Sequence, residues 1–121
     1  LLKSDPSVTG KVIAENSQVN SLDKNVKTFV ITGAHLRFFI DEVENPEIRV
    51  KQGDKIRIEY KSTEGFHDWR VDEFNAATEK VNPEGGITSV EFIADKKGTF
   101  EYYCSVGQHR ANGMKGNFIV E

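Results

Sequence analysis

Asp54-Lys55-Ile56-Arg57-Ile58-Glu59-Tyr60 is the stretch that decides the fold. Ile56, Ile58 and Tyr60 fall on one side of an extended chain and Lys55, Arg57 and Glu59 on the other, as a half-buried β-strand requires. The same period of two recurs at Val90 and Phe92, which alternate with Ser89 and Glu91. After the turn residues Lys96-Lys97-Gly98, Phe100, Tyr102 and Cys104 alternate with Glu101 and Tyr103, so Cys104 is expected on the inward face of its strand. Further strands are expected over residues 27–31, 37–40, 47–50, 66–71 and 117–120. Gly33, Asn45-Pro46, Pro83-Glu84-Gly85-Gly86 and the pair Gly113 and Gly116 divide them. Helical periodicity is almost absent. Seven or eight short strands at this spacing predict an all-β Greek-key sandwich.

A chain of 121 residues is long enough for one core and too short for two. Residues 26–121 carry the strand pattern and are expected to form one domain. Residues 1–25 are polar and weakly patterned, with Val12 and Ile13 as their one strong apolar pair, and are expected to be an edge strand or an extension. No run approaches the ~20 apolar residues of a membrane helix. Net charge is -3 and the basic residues are scattered singly, which speaks against a nucleic-acid partner. A single cysteine excludes an internal disulfide, so compartment has to be argued from chemistry. The opening Leu1-Leu2-Lys3-Ser4-Asp5-Pro6-Ser7 has neither an initiating Met nor the order of a signal peptide, and fits removal of an upstream leader or anchor.

The chemistry concentrates in Tyr103-Cys104-Ser105-Val106-Gly107-Gln108-His109-Arg110-Ala111-Asn112-Gly113-Met114. Four residues separate Cys104 from His109, and four more separate His109 from Met114. A Cys ending one strand, a glycine-containing loop bearing His and a Met opening the next strand let a hairpin aim three donors at one point. A thiolate and imidazole nitrogens in a trigonal set, with a weak thioether on the axis, suit copper; zinc seldom recruits methionine. His67, in Glu64-Gly65-Phe66-His67-Asp68-Trp69-Arg70-Val71, supplies the second imidazole, since His67, Trp69 and Val71 alternate and should point inward together. Singly, a Cys, a Met or a His is ordinary core or surface material. Four of them in this order on an all-β frame are a metal site. His35 has no donor neighbours at ligand spacing and is expected at the surface or in a hydrogen bond.

The segment from Tyr103 to Gly116 resembles the C-terminal ligand loop of plastocyanin-like and rusticyanin-like blue copper proteins, the cupredoxins. Val50-Lys51-Gln52-Gly53-Asp54 is similar to that family's turn before its central strand. The resemblance covers most of residues 28–121. It implies an eight-stranded cupredoxin sandwich that transfers single electrons by one type 1 copper ion cycling between Cu(I) and Cu(II). His67, Cys104 and His109 would be its equatorial ligands and Met114 its axial one. It further implies work outside the cytoplasm, in the periplasm, at the outer face of the membrane or in the extracellular space. A redox partner protein is expected to dock near His109, on a small apolar patch of Val106, Gly107 and Ala111.

Two positions depart from the family pattern. Asp68 stands where the family often has Asn or Ser, and its carboxylate is expected to tie the two ligand loops together. Ser62-Thr63-Glu64-Gly65-Phe66 is similar to the carboxylate-bearing segment of nitrosocyanin, where the family implication is a glutamate ligand and an open coordination position. That likeness raises an alternative: a copper oxidoreductase binding a small molecule such as nitric oxide. Nitrosocyanin-like sites lack the upstream histidine, so His67 leaves Glu64 outside the ligand set and favours the carrier. No Met-rich or His-rich tract suggests a copper chaperone or store.

Overall fold

The computed structural model describes residues 25–121, and the edge strand considered around Val12 and Ile13 falls outside them. The period-two segments become strands: β1 (Val26–Ala34), β2 (Arg37–Ile40), β3 (Val43–Glu44), β4 (Ile48–Val50), β5 (Lys55–Ser62), β6 (Arg70–Val71), β7 (Ala76–Ala77), β8 (Ile87–Ile93), β9 (Gly98–Tyr103) and β10 (Lys115–Val120). Single 3₁₀ turns occupy Asp72–Phe74 and Pro83–Gly85. The strands form two five-stranded sheets, ordered β3-β2-β1-β5-β8 and β4-β10-β9-β6-β7. The all-β sandwich is as expected. The count of ten among the described residues exceeds the expected seven or eight because β3 and β7 are two-residue pieces too short to carry an alternation.

The deciding strand does what its pattern requires. Ile56, Ile58 and Tyr60 are each fully buried, as is Ser62, the next residue on that side. β5 pairs in parallel with β1, bringing Ile31 beside Tyr60 and Gly33 beside Ser62, and antiparallel with β8. On the opposite face Arg57 bonds Glu59 (2.9 Å) and Glu91 (3.0 Å). These solvent-facing pairs contribute little to stability.

The second sheet closes the core. Trp69 stacks on Tyr102 with ring centroids 5.7 Å apart and planes at 22°, and meets Phe118 edge-on. Phe38, from the first sheet, packs edge-on against both Tyr102 (5.4 Å) and Tyr60 (5.9 Å) and so joins the layers. Offset and edge-to-face contacts of this kind add to the area each ring removes from water. Cys104 and Met114 belong to the same fully buried cluster, so the metal loop grows directly out of the core.

One expected strand is shorter than its pattern suggested. Over residues 66–71 only Arg70–Val71 is a strand, preceded by an isolated bridge between His67 and Val81. The ladder breaks because Trp69 N–H donates to the Thr78 hydroxyl (3.0 Å) and Asp68 is buried too, so both neighbours of the alternation point inward.

Truncating Ile58 to Ala is expected to destabilise the metal-free protein by about 2–5 kcal/mol in denaturant unfolding. Truncating its outward neighbour Arg57 is expected to cost about 1 kcal/mol or less.

Candidate metal centre

Four side chains named from sequence meet at one end of the sandwich. His67 arrives from the bridge with Val81, its N–H and C=O both bonded to that residue (3.0 and 2.9 Å). Cys104 follows β9 by one residue, and Met114 precedes β10 by one. The loop between them coils tightly: His109 N–H donates to Val106 C=O and Met114 N–H to His109 C=O, both at 3.0 Å. Cys104 N–H closes it by donating to Met114 C=O (3.2 Å). From the first sheet, Arg37 donates to Asn112 C=O (3.2 Å) and Asn45 Nδ2 to Gly113 C=O (3.0 Å), pinning the loop to the opposite layer.

His67, Cys104 and His109 form a three-donor cluster. Nδ1 of His67 lies 3.2 Å from Nδ1 of His109, and Cys104 Sγ lies 3.5 Å from His109 Nδ1 and 3.8 Å from His67 Nδ1. The centre of a triangle with those edges is about 2.0 Å from every corner, the length of a metal-nitrogen bond and a little under that of a metal-sulfur bond. The donor set and its spacing therefore fit one small transition-metal ion.

Tautomer and orientation are set from behind. His67 Nε2 lies 2.8 Å from Glu64 C=O, an acceptor only, so Nε2 carries the proton and Nδ1 faces the triangle as a lone pair. Gly65 makes this approach possible. Its φ is +91°, and a Cβ there would stand 2.7 Å from His67 Nε2. The backbone carbonyl of Glu64, not its carboxylate, is what reaches His67. The carboxylate turns outward to exposed His35 (2.8 Å), placing both residues at the surface, outside the donor cluster.

Asp68 ties the two ligand segments together. Its carboxylate accepts from Ser105 N–H (2.7 Å) and from the Ser105 hydroxyl (2.6 Å), joining the residue after His67 to the residue after Cys104. Nothing in the sequence but its place beside Cys104 marks Ser105.

Burial lowers the pKa of His67, with the Glu64 carbonyl opposing and the neighbouring His109 adding to the effect, so the balance favours the neutral imidazole. Burial raises the pKa of the Cys104 thiol, while backbone N–H groups of Asp68 and Val106 work the other way. Such donors, and a cation above all, favour the thiolate. His67, Cys104 and Met114 are buried, and His109 alone of the four is partly accessible.

A family model described as copper binding proteins, plastocyanin/azurin family, matches residues 24–121. The chain belongs to that family. Among solved cupredoxin-like structures, dithionite-reduced auracyanin from the photosynthetic bacterium Roseiflexus castenholzii is 25% identical, with a TM-score of 0.64, covering 78% of this chain and 96% of that one. Reduced rusticyanin is 21% identical with a TM-score of 0.66, covering 82% and 81%. Curated relatives include copper-containing nitrite reductases of Neisseria meningitidis serogroup A and Neisseria gonorrhoeae, each 28% identical over 116 residues and 86% of this chain. The chain spans 30% and 29% of their lengths. Family and donor cluster together make this cupredoxin a binder of one copper ion.

Replacing Asp68 by Ala frees both Ser105 donors and should weaken copper retention about 10- to 100-fold in a chelator competition. Gly65→Ala should do the same by pushing the His67 ring out of place, with the β5 core left intact by circular dichroism.

Proposed function

We propose that His67, Cys104, His109 and Met114 would together hold one copper ion, and that the protein is a one-electron carrier. The observation that carries the reading is the triangle of two Nδ1 atoms and one Sγ, with edges of 3.2, 3.5 and 3.8 Å. Copper bound there supplies a couple between Cu(I) and Cu(II). The residues supply rigidity. His67 is fixed by Glu64 C=O, Cys104 by its own strand and the Asp68–Ser105 clamp, and His109 and Met114 by each other's backbone. A donor set that cannot relax to the geometry either oxidation state prefers keeps the reorganisation accompanying electron transfer small.

Residues 26–121 form the electron-transfer unit. His109 is the accessible ligand, and Gly107 and Ala111 are exposed beside it while Val106 packs partly into the core. Redox partners therefore approach over the His109 ring. The exported setting typical of homologous cupredoxins extends to this chain, and no helix among the described residues is long and apolar enough to cross a membrane.

The likeness to nitrite reductases raises a second reading, a copper enzyme acting on a nitrogen oxide. Burial of His67, Cys104 and Met114 favours the carrier, because a small molecule would have to displace a core side chain to reach the metal. Addition of azide or nitric oxide to the copper-loaded protein should leave its absorption unchanged; a new band would establish an open position and the enzymatic reading.

A charge in the docking patch should act on rate alone. Ala111→Glu is expected to slow electron self-exchange, measured by NMR line broadening, on the order of tenfold through like-charge repulsion between two copies, with the copper absorption unchanged.

A further inference from the structure

Tyr60 ends the inward run of β5 and is fully buried, yet its hydroxyl has no hydrogen-bond partner among the described residues. A hydroxyl taken out of water without a partner opposes folding, and phenylalanine would pack against Phe38 equally well without that penalty. An orphaned buried polar atom in a native protein calls for a reason, and a redox role is one of the few that fit.

Its location supplies the reason. A Cβ built on Gly33 would lie 1.8 Å from the Tyr60 hydroxyl oxygen and 3.2 Å from the Met114 methyl carbon, so the hydroxyl and the thioether methyl share one small space over Gly33. Glycine at this point of β1 leaves that space to them. Burial raises the pKa of the phenol, and the neighbouring Cys104 and Asp68 add to that effect.

We infer that Tyr60 is a positioning residue for Met114 whose unpaired hydroxyl sets the reduction potential of the centre. The inference rests on the ligation proposed above. No acceptor fixes the O–H dipole, and we place its hydrogen on the side of Asp68 and of the thiolate that Cys104 would become on binding a cation. The oxidised site carries one more positive charge than the reduced one. A dipole with its positive end toward the site, in a core of low polarisability, disfavours the oxidised form and raises the potential.

The test is Tyr60→Phe in the copper-loaded protein, read by a spectroelectrochemical titration, the thiolate-to-copper absorption and thermal unfolding of the metal-free form. The potential should fall, the absorption should stay as in the parent, and the metal-free protein should be as stable or more stable. An unchanged or higher potential, or a clear loss of metal-free stability, would overturn the inference. Tyr60→Leu, which also removes the ring behind Met114, should shift the absorption bands; unaltered bands would mean that Tyr60 does not bear on Met114. Failure of the parent protein to take up copper would sink the ligation reading and this inference together. A copper-loaded parent with an unmoved Tyr60→Phe potential would sink this inference alone.

Discussion

Everything at the site depends on holding two imidazole nitrogens and a thiol sulfur within 3.8 Å of one another at the end of a packed sandwich. Such atoms repel when all present lone pairs, and only a proton or a cation among them relieves the repulsion. Because His67 spends its own proton on Glu64 C=O, its Nδ1 can only accept. Sheet pairing, the coiled loop and the Asp68 clamp together oppose that repulsion, and the same rigidity makes the site suited to a metal that changes charge.

The fold lay close to the surface of the sequence. Ile56, Ile58 and Tyr60 alternate so cleanly with charged residues that their burial could be read off directly, and the inward position of Cys104 followed from Phe100 and Tyr102 in the same way. The spacing of Cys104, His109 and Met114 carried the site, because one short hairpin loop forces residues that near in sequence to be near in space. His67 was harder, being distant in the chain, and was recovered through its alternation with Trp69 and Val71.

What stayed hidden was the part fixed by backbone atoms and by contacts between the sheets. Alternation extended the strand over residues 66–71 too far, since the buried carboxylate of Asp68 breaks the ladder in favour of Ser105. Glu64 drew attention for its carboxylate although its carbonyl does the positioning, and a carbonyl leaves no mark in a sequence. Arg37 and Asn45 reach the metal loop from the opposite sheet, a contact that no local pattern encodes. Tyr60 reads as one more inward residue; the lack of a partner for its hydroxyl shows only in the folded chain.

The central claim is the proposal that the donor geometry of Cys104 and the two imidazoles would hold one copper ion, completed by Met114. The absorption spectrum of the copper(II)-loaded protein tests it most directly, because thiolate-to-copper bands report that geometry. The account predicts an intense band in the red region that dominates those at shorter wavelength. Strong bands confined to shorter wavelength, or no thiolate band at all, would contradict it.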